Sequence, residues 1–135
     1  VITWLKKQPQ VARVLHPAAP GHPGHKVWKR DFKDAAGVFG IVFKPYCRDA
    51  QSAALSALQL FQIGASCGGA HSLVAPSDPR KGRQFCDWLP EGPYWRLSIG
   101  LEDSADILAD LATALAALDA YAMPQTSNQL GHPAE

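Results

Sequence analysis

Between Tyr94 and Tyr121 the apolar residues change from every second position to helical spacing, and Gly100 stands at the change. Trp95, Leu97 and Ile99 alternate with Tyr94, Arg96 and Ser98, so a strand here has an apolar face and a polar face that carries one arginine. Asp103 is placed to cap the helix that follows, and Glu102 and Asp106 put further negative charge where the helix dipole is positive. Ile107, Leu108, Leu111, Leu115, Leu118 and Ala122 form a stripe that carries the helix to about Tyr121. A strand and a helix that each have one face to bury call for a layered core. Arg96 is the residue such a unit leaves to be explained. A planar guanidinium on a rigid strand can hold a carboxylate in fixed orientation, although exposure on the wet face of a sheet is the commoner reason for an arginine there.

The rest of the chain supplies the other elements. Residues 1–8 place Ile2 and Leu5 at helical spacing and stop before Pro9, which marks the last turns of a helix. Residues 11–15 alternate and are rich in valine, a short strand, and residues 16–24 have too much proline and glycine for any regular element. His16, His22 and His25 fall in or beside that loop; their spacing is not that of a zinc motif, so a turn-rich connection is expected there and no metal. Trp28-Lys29-Arg30-Asp31-Phe32 mixes aromatics with charge. Stacking on nucleic-acid bases is weakly indicated by one such pentapeptide, and an anchored Trp and Phe with solvated charges is the expected arrangement. Residues 37–44, nearly all β-branched or aromatic, are the strongest strand and should be central, and residues 48–61 carry Ala54, Leu55, Ala57, Leu58 and Phe61 on one face of a helix.

Residues 63–72 are dense in glycine and small side chains. Gly68-Gly69 permits a close backbone approach, but neither phosphate-cradling glycine motif is present. Residues 73–75 can form a short strand, and residues 76–93 are a long connection of the kind that is functional or interfacial, holding Asp78, Arg80, Arg83 and Trp88. The order of elements predicts an α+β fold, a small, mostly antiparallel sheet covered by helices.

Composition limits the function classes. With 135 residues, 47% apolar and 19% charged, the chain is one folded domain in size, and a formal charge of +1 gives no electrostatic reason for a nucleic acid or an anionic membrane as partner. Cys47, Cys67 and Cys86 are odd in number and lack a C-x-x-C pair, so neither a disulfide framework nor a zinc ribbon is expected and a reducing cytoplasm fits best. No apolar run reaches the roughly 18 residues of a spanning helix. The chain opens on Val1 inside what reads as a helix, so it is expected to be a piece of something longer.

Several segments together carry a family likeness. Val11-Ala12-Arg13-Val14-Leu15-His16-Pro17-Ala18, Gly24-His25, Trp28-Lys29-Arg30-Asp31-Phe32, Ser66-Cys67-Gly68-Gly69 and Arg96-Leu97-Ser98-Ile99-Gly100-Leu101-Glu102-Asp103 resemble the C-terminal domain of the cystathionine β-lyases. These belong to the pyridoxal-phosphate-dependent trans-sulfuration family of cysteine and methionine metabolism. The likeness runs over residues 1–118 and implies the small C-terminal domain of a fold-type I enzyme. Residues 1–8 would be the end of the interdomain helix, 9–122 the small domain, and 123–135 a disordered tail.

The resemblance implies that Arg96 holds the α-carboxylate of a sulfur amino acid, with Ser66, Cys67 and His71 lining the same site. It implies pyridoxal 5'-phosphate in the full-length protein and none bound by this chain alone, because Lys6, Lys7, Lys26, Lys29, Lys33, Lys44 and Lys81 all lie outside the family's S-x-[TS]-K context. The chain alone is then expected to be inactive. Its partners would be the large cofactor-binding domain and further copies, in a dimer or tetramer.

Where the β-lyase pattern has Trp, two glycines, an aromatic and Glu, this chain has Cys67, the two glycines, Ala70 and His71. Cleavage of a carbon–sulfur bond in a cysteine-type amino acid is therefore implied more firmly than cystathionine as the substrate. A γ-lyase or γ-synthase of the same family, and a noncatalytic domain that binds a carboxylate or a partner, are the alternatives.

Overall fold

A computed structural model describes residues 1–78 and 92–121. The expectations placed on Lys81, Cys86, Trp88, Arg80, Arg83, Ala122 and the tail 123–135 lie outside the described residues. The elements in chain order are α1 (Ile2–Leu5), β1 (Val11–Leu15), α2 (His25–Asp31), β2 (Val38–Phe43), α3 (Arg48–Ala57), β3 (Gln62–Ile63), β4 (Leu73–Ser77), β5 (Tyr94–Ser98) and α4 (Ser104–Tyr121). The strands form one five-stranded sheet in the order β1-β2-β5-β4-β3. Its described pairs are antiparallel except β3 with β4, so the fold is α+β with a mostly antiparallel sheet.

The pleat decides what each face does. Phe39, Ile41 and Phe43 of β2, Val74 of β4, and Trp95 and Leu97 of β5 point to one side and are buried with Leu5, α3 and α4 in a single core. The rings of Phe43 and Trp95 meet edge to face at 4.7 Å between centroids. From α4 the core takes Ile107, Leu111, Ala114, Leu115 and Leu118, and each full-size aliphatic side chain buried in this way contributes roughly 1.5–3 kcal/mol. Asp103 caps α4 as its position predicts, its Oδ1 accepting the Ala105 N–H at 2.7 Å.

Several details differ from the sequence reading. The centre of the sheet is β5, with β2 beside it, because β4 and β3 add on the far side of β5. The helix expected over residues 48–61 stops at Ala57, and Leu58 is extended at ψ 134°. Leu58 and Phe61 are still buried, but from an irregular turn whose amides Asp110 takes up. Strand β4 continues through Pro76 to Ser77, a short parallel β3 appears at Gln62–Ile63, and residues 25–31 form the helix α2. Trp28 stacks on His25 at 5.6 Å while Phe32 is 62% exposed, so the Trp is anchored and the Phe is not. No described helix is long and apolar enough to cross a membrane.

Candidate functional site

Arg96 sits at the middle of the sheet, paired with Gly40 of β2 on one side and Ala75 of β4 on the other. Directly opposed residues share a face, so the arginine rises between two small neighbours. Gly40 has a specific reason to be glycine, since a Cβ there would run into the ring of Tyr94, which lies over it two residues along from Arg96. The face expected to be polar therefore carries Tyr94, Arg96 and Ser98, and the face expected to be apolar is the packed one.

The glycine-rich loop closes over this row. The Nη2 of Arg96 donates to the carbonyl oxygens of Ala65 and of Ser66, the latter at 3.2 Å. Its Nε is buried and has no hydrogen-bond partner among the described residues. Further along the loop the Gly68 N–H donates to Ser98 Oγ at 3.3 Å, and the Leu101 N–H donates to the Ala70 carbonyl at 2.8 Å. Gly68 has φ +76°, a backbone conformation that glycine takes without strain. Of the four residues expected to line the site, the structure joins Arg96 and Ser66 directly, through the backbone carbonyl of Ser66. Cys67 and His71 stand exposed on the same loop.

The far end of the loop is held by a carboxylate that the sequence reading assigned only to the helix dipole. Glu102 accepts the Ser72 N–H at 2.6 Å and the Ser72 hydroxyl at 2.8 Å, and the Gly100 N–H donates to that hydroxyl oxygen at 2.9 Å. The Ser72 N–H holds the Glu102 carboxyl below its ordinary range, with smaller help from the Ser72 hydroxyl and the nearby His71. Ser72 and Glu102 stand 30 positions apart in the chain, so no local signal pointed to this contact.

The histidines of the first loop fold that loop. Ala18 and Gly24 donate their N–H groups to Nδ1 of His16 and His22 at 3.2 and 3.0 Å, and Nδ1 of His25 lies 2.9 Å from the Pro17 carbonyl. Among the described residues no group of three or more histidine, cysteine or acidic side chains could hold a metal ion.

The geometry is thus an arginine at the centre of a five-stranded sheet, bonded to the backbone of a glycine-rich loop. The family model for Cys/Met metabolism PLP-dependent enzymes matches residues 1–116. Over 120 residues the chain is 40% identical to an L-alanine/L-glutamate racemase of Wolbachia pipientis, which covers 87% of this chain and 30% of the relative. Over 124 residues it is 41% identical to a putative cystathionine beta-lyase of Rhizobium johnstonii, covering 89% of this chain and 31% of the relative. Among solved structures, a cystathionine gamma synthase from Xanthomonas oryzae pv. oryzae in complex with aminoacrylate and cysteine superposes with a TM-score of 0.74 at 27% identity, covering 88% of this chain and 32% of that one. The chain belongs to the Cys/Met metabolism PLP-dependent enzyme family, and it spans about a third of the length of these relatives.

Proposed function

We propose that this chain is the substrate-carboxylate-binding C-terminal domain of a pyridoxal-phosphate-dependent carbon–sulfur β-lyase. The observation that carries the reading is the state of Arg96, whose buried Nε–H has no acceptor among the described residues while Nη2 rests on two neutral backbone carbonyls of the glycine-rich loop, those of Ala65 and Ser66. A carboxylate is a stronger acceptor for a guanidinium than a neutral carbonyl and takes two of its N–H groups at once. Fixing the α-carboxylate fixes the direction of the Cα–H bond, so the domain would contribute orientation to the reaction.

The described residues do not fit the cofactor itself. Lys6, Lys7, Lys26, Lys29, Lys33 and Lys44 are all exposed, and a lysine that carries pyridoxal phosphate needs a desolvated pocket. The cofactor acts as an electron sink in such enzymes, and that part of the chemistry belongs to a large domain on the rest of the polypeptide. On this reading residues 1–8 end the interdomain helix and residues 9–122 are the small domain. This chain is then inactive alone, and the whole protein is a cytoplasmic dimer or tetramer.

Arg96→Ala in the whole enzyme is expected to raise KM for the amino acid by about 10- to 100-fold, the range of a lost charged hydrogen bond, with a smaller effect on kcat. An unchanged KM and kcat would remove Arg96 from the site. A second reading is favoured by the Wolbachia relative, whose name is that of a racemase at the same level of identity as the β-lyase relative. Products separate the two: pyruvate from a cysteine thioether marks the β-lyase, 2-oxobutyrate marks γ-chemistry, and a D-amino acid from its L form marks the racemase. A gene that starts near Val1 would instead favour a noncatalytic carboxylate- or partner-binding domain.

A further inference from the structure

The glycine-rich loop presents a problem of order. Residues 65–71 are exposed and include Gly68 and Gly69, and holding each such residue in one conformation costs about 1–2 kcal/mol of backbone entropy. Yet the Ser66 end of this loop has to meet Arg96 in a fixed place if the pair is to receive a carboxylate. Something must hold the other end.

The holding group is at the β5–α4 junction. Ser72 is fully buried, and its N–H and hydroxyl are both taken by the Glu102 carboxylate while its hydroxyl oxygen receives the Gly100 N–H. The junction grips the loop at a second point, where Leu101 donates to Ala70. The chains pass so closely that a Cβ on Gly100 would meet the Ala70 carbonyl oxygen, the Glu102 carboxylate and the carbonyl carbon of His71. Beyond Ser72 the chain enters β4, where the Gly64 N–H donates to the Val74 carbonyl at 3.0 Å. The loop is thus closed at its base by β3 and β4, crossed by Arg96 at Ala65 and Ser66, and fastened at its far end by Glu102.

We propose that Glu102 is a positioning residue for the substrate-carboxylate site: by clasping Ser72 it fixes the loop 64–72 against the strand that carries Arg96, so that Arg96 and the Ser66 end are prearranged for the ligand. This rests on the reading of Arg96 as the carboxylate-binding group. Glu102 acts through the loop and touches no ligand. Its removal leaves Arg96 in place on β5 and loosens what faces it, which weakens binding more than turnover.

The test uses the whole enzyme that contains this chain. KM is measured with L-cystathionine, and the dissociation constant with L-alanine, which carries the carboxylate without a leaving group. For Glu102→Ala a rise of about five- to thirtyfold in both constants is expected, with kcat changed less than about threefold and with Glu102→Gln, which keeps one acceptor oxygen, in between. Amide hydrogen exchange of residues 66–71 in Glu102→Gln should quicken about tenfold or more, while the buried amides of α4 keep their protection. A purely structural carboxylate would lower the melting temperature and leave these constants unmoved.

If Arg96→Ala weakens both ligands while Glu102→Ala binds them as the wild type does, the positioning role is overturned and the carboxylate site stands. If Arg96→Ala changes neither constant, the site reading fails and the role of Glu102 in it fails too. Should Glu102→Ala not fold, Glu102→Gln carries the same test, and wild-type binding constants together with wild-type amide exchange of residues 66–71 in that variant overturn the proposal.

Discussion

At the scale of single residues, the polar groups that matter are those whose partners lie far away in the sequence. Asp110 is 8% exposed and accepts three consecutive backbone N–H groups, Gln59 at 2.7 Å on Oδ1 and Leu60 and Phe61 at 2.9 and 3.0 Å on Oδ2. These amides belong to the turn where α3 has ended, so no helical carbonyl serves them. Asp110→Ala leaves them in a buried place without an acceptor and is expected to cost about 3 kcal/mol, with Asp110→Asn losing roughly half of that. Urea unfolding midpoints measure both. In the sequence Asp110 was an acid among the leucines and alanines of α4, and nothing local showed that it faces inward. Arg96 was legible from alternation alone, since Trp95 and Leu97 had to be buried and the arginine had to oppose them. Glu102 was legible only as a charge at a helix start, because its partner Ser72 arrives through sheet pairing.

At the scale of elements, strong patterns survived and weak ones yielded to tertiary contacts. Strands β1, β2 and β5 and helix α4 follow from period and composition, since each has a face that only one arrangement can bury. Helix α3 was read four residues too long because Leu58 and Phe61 keep the helical spacing, and they are indeed buried. Their burial is achieved by an extended turn that Asp110 stabilises, a solution invisible to periodicity. Strand β3 has only two residues, both exposed, and exists because it lies beside β4. The β5–α4 junction offers a test of how tightly two elements meet. Gly100→Ala would place a methyl group against the Ala70 and His71 backbone and is expected to cost about 1–3 kcal/mol and to disturb the loop as Glu102→Ala does. Gly69→Ala is its control, since nothing lies within 4 Å of the added carbon, and should stay within about 0.5 kcal/mol of the wild type. Thermal unfolding of the two variants side by side checks the contrast.

At the scale of the whole molecule, the beginning and the end of the described chain are tied through one acid. Asp119 near the end of α4 accepts the Gln10 side-chain amide at 2.6 Å and the Tyr46 hydroxyl at 3.1 Å. Gln10 in turn accepts the Lys44 N–H through its backbone carbonyl at 2.9 Å, so the segment before β1, the turn after β2 and α4 share one network. Burial, and then the hydrogen bond and charge of Asp119, push the Tyr46 phenol from its usual 10.0 up to about 12. A raised value means the folded state holds the proton more tightly than the unfolded chain. The stabilisation from this phenol is therefore complete below pH 10 and is lost as the pH climbs through about 12. Glu102 works in the opposite sense. Its lowered value makes its contribution complete above the usual 4.5 and lost as the pH falls below it. Stability against urea should accordingly show a plateau with an acid shoulder owed to the loop clasp and an alkaline shoulder owed to the Tyr46 network. Tyr46→Phe should flatten the alkaline shoulder alone and Glu102→Gln the acid one alone, because the two sit at separate contacts and their effects should add. A change in both shoulders from either substitution would mean that the loop and the network at the chain's two ends are coupled through the sheet between them.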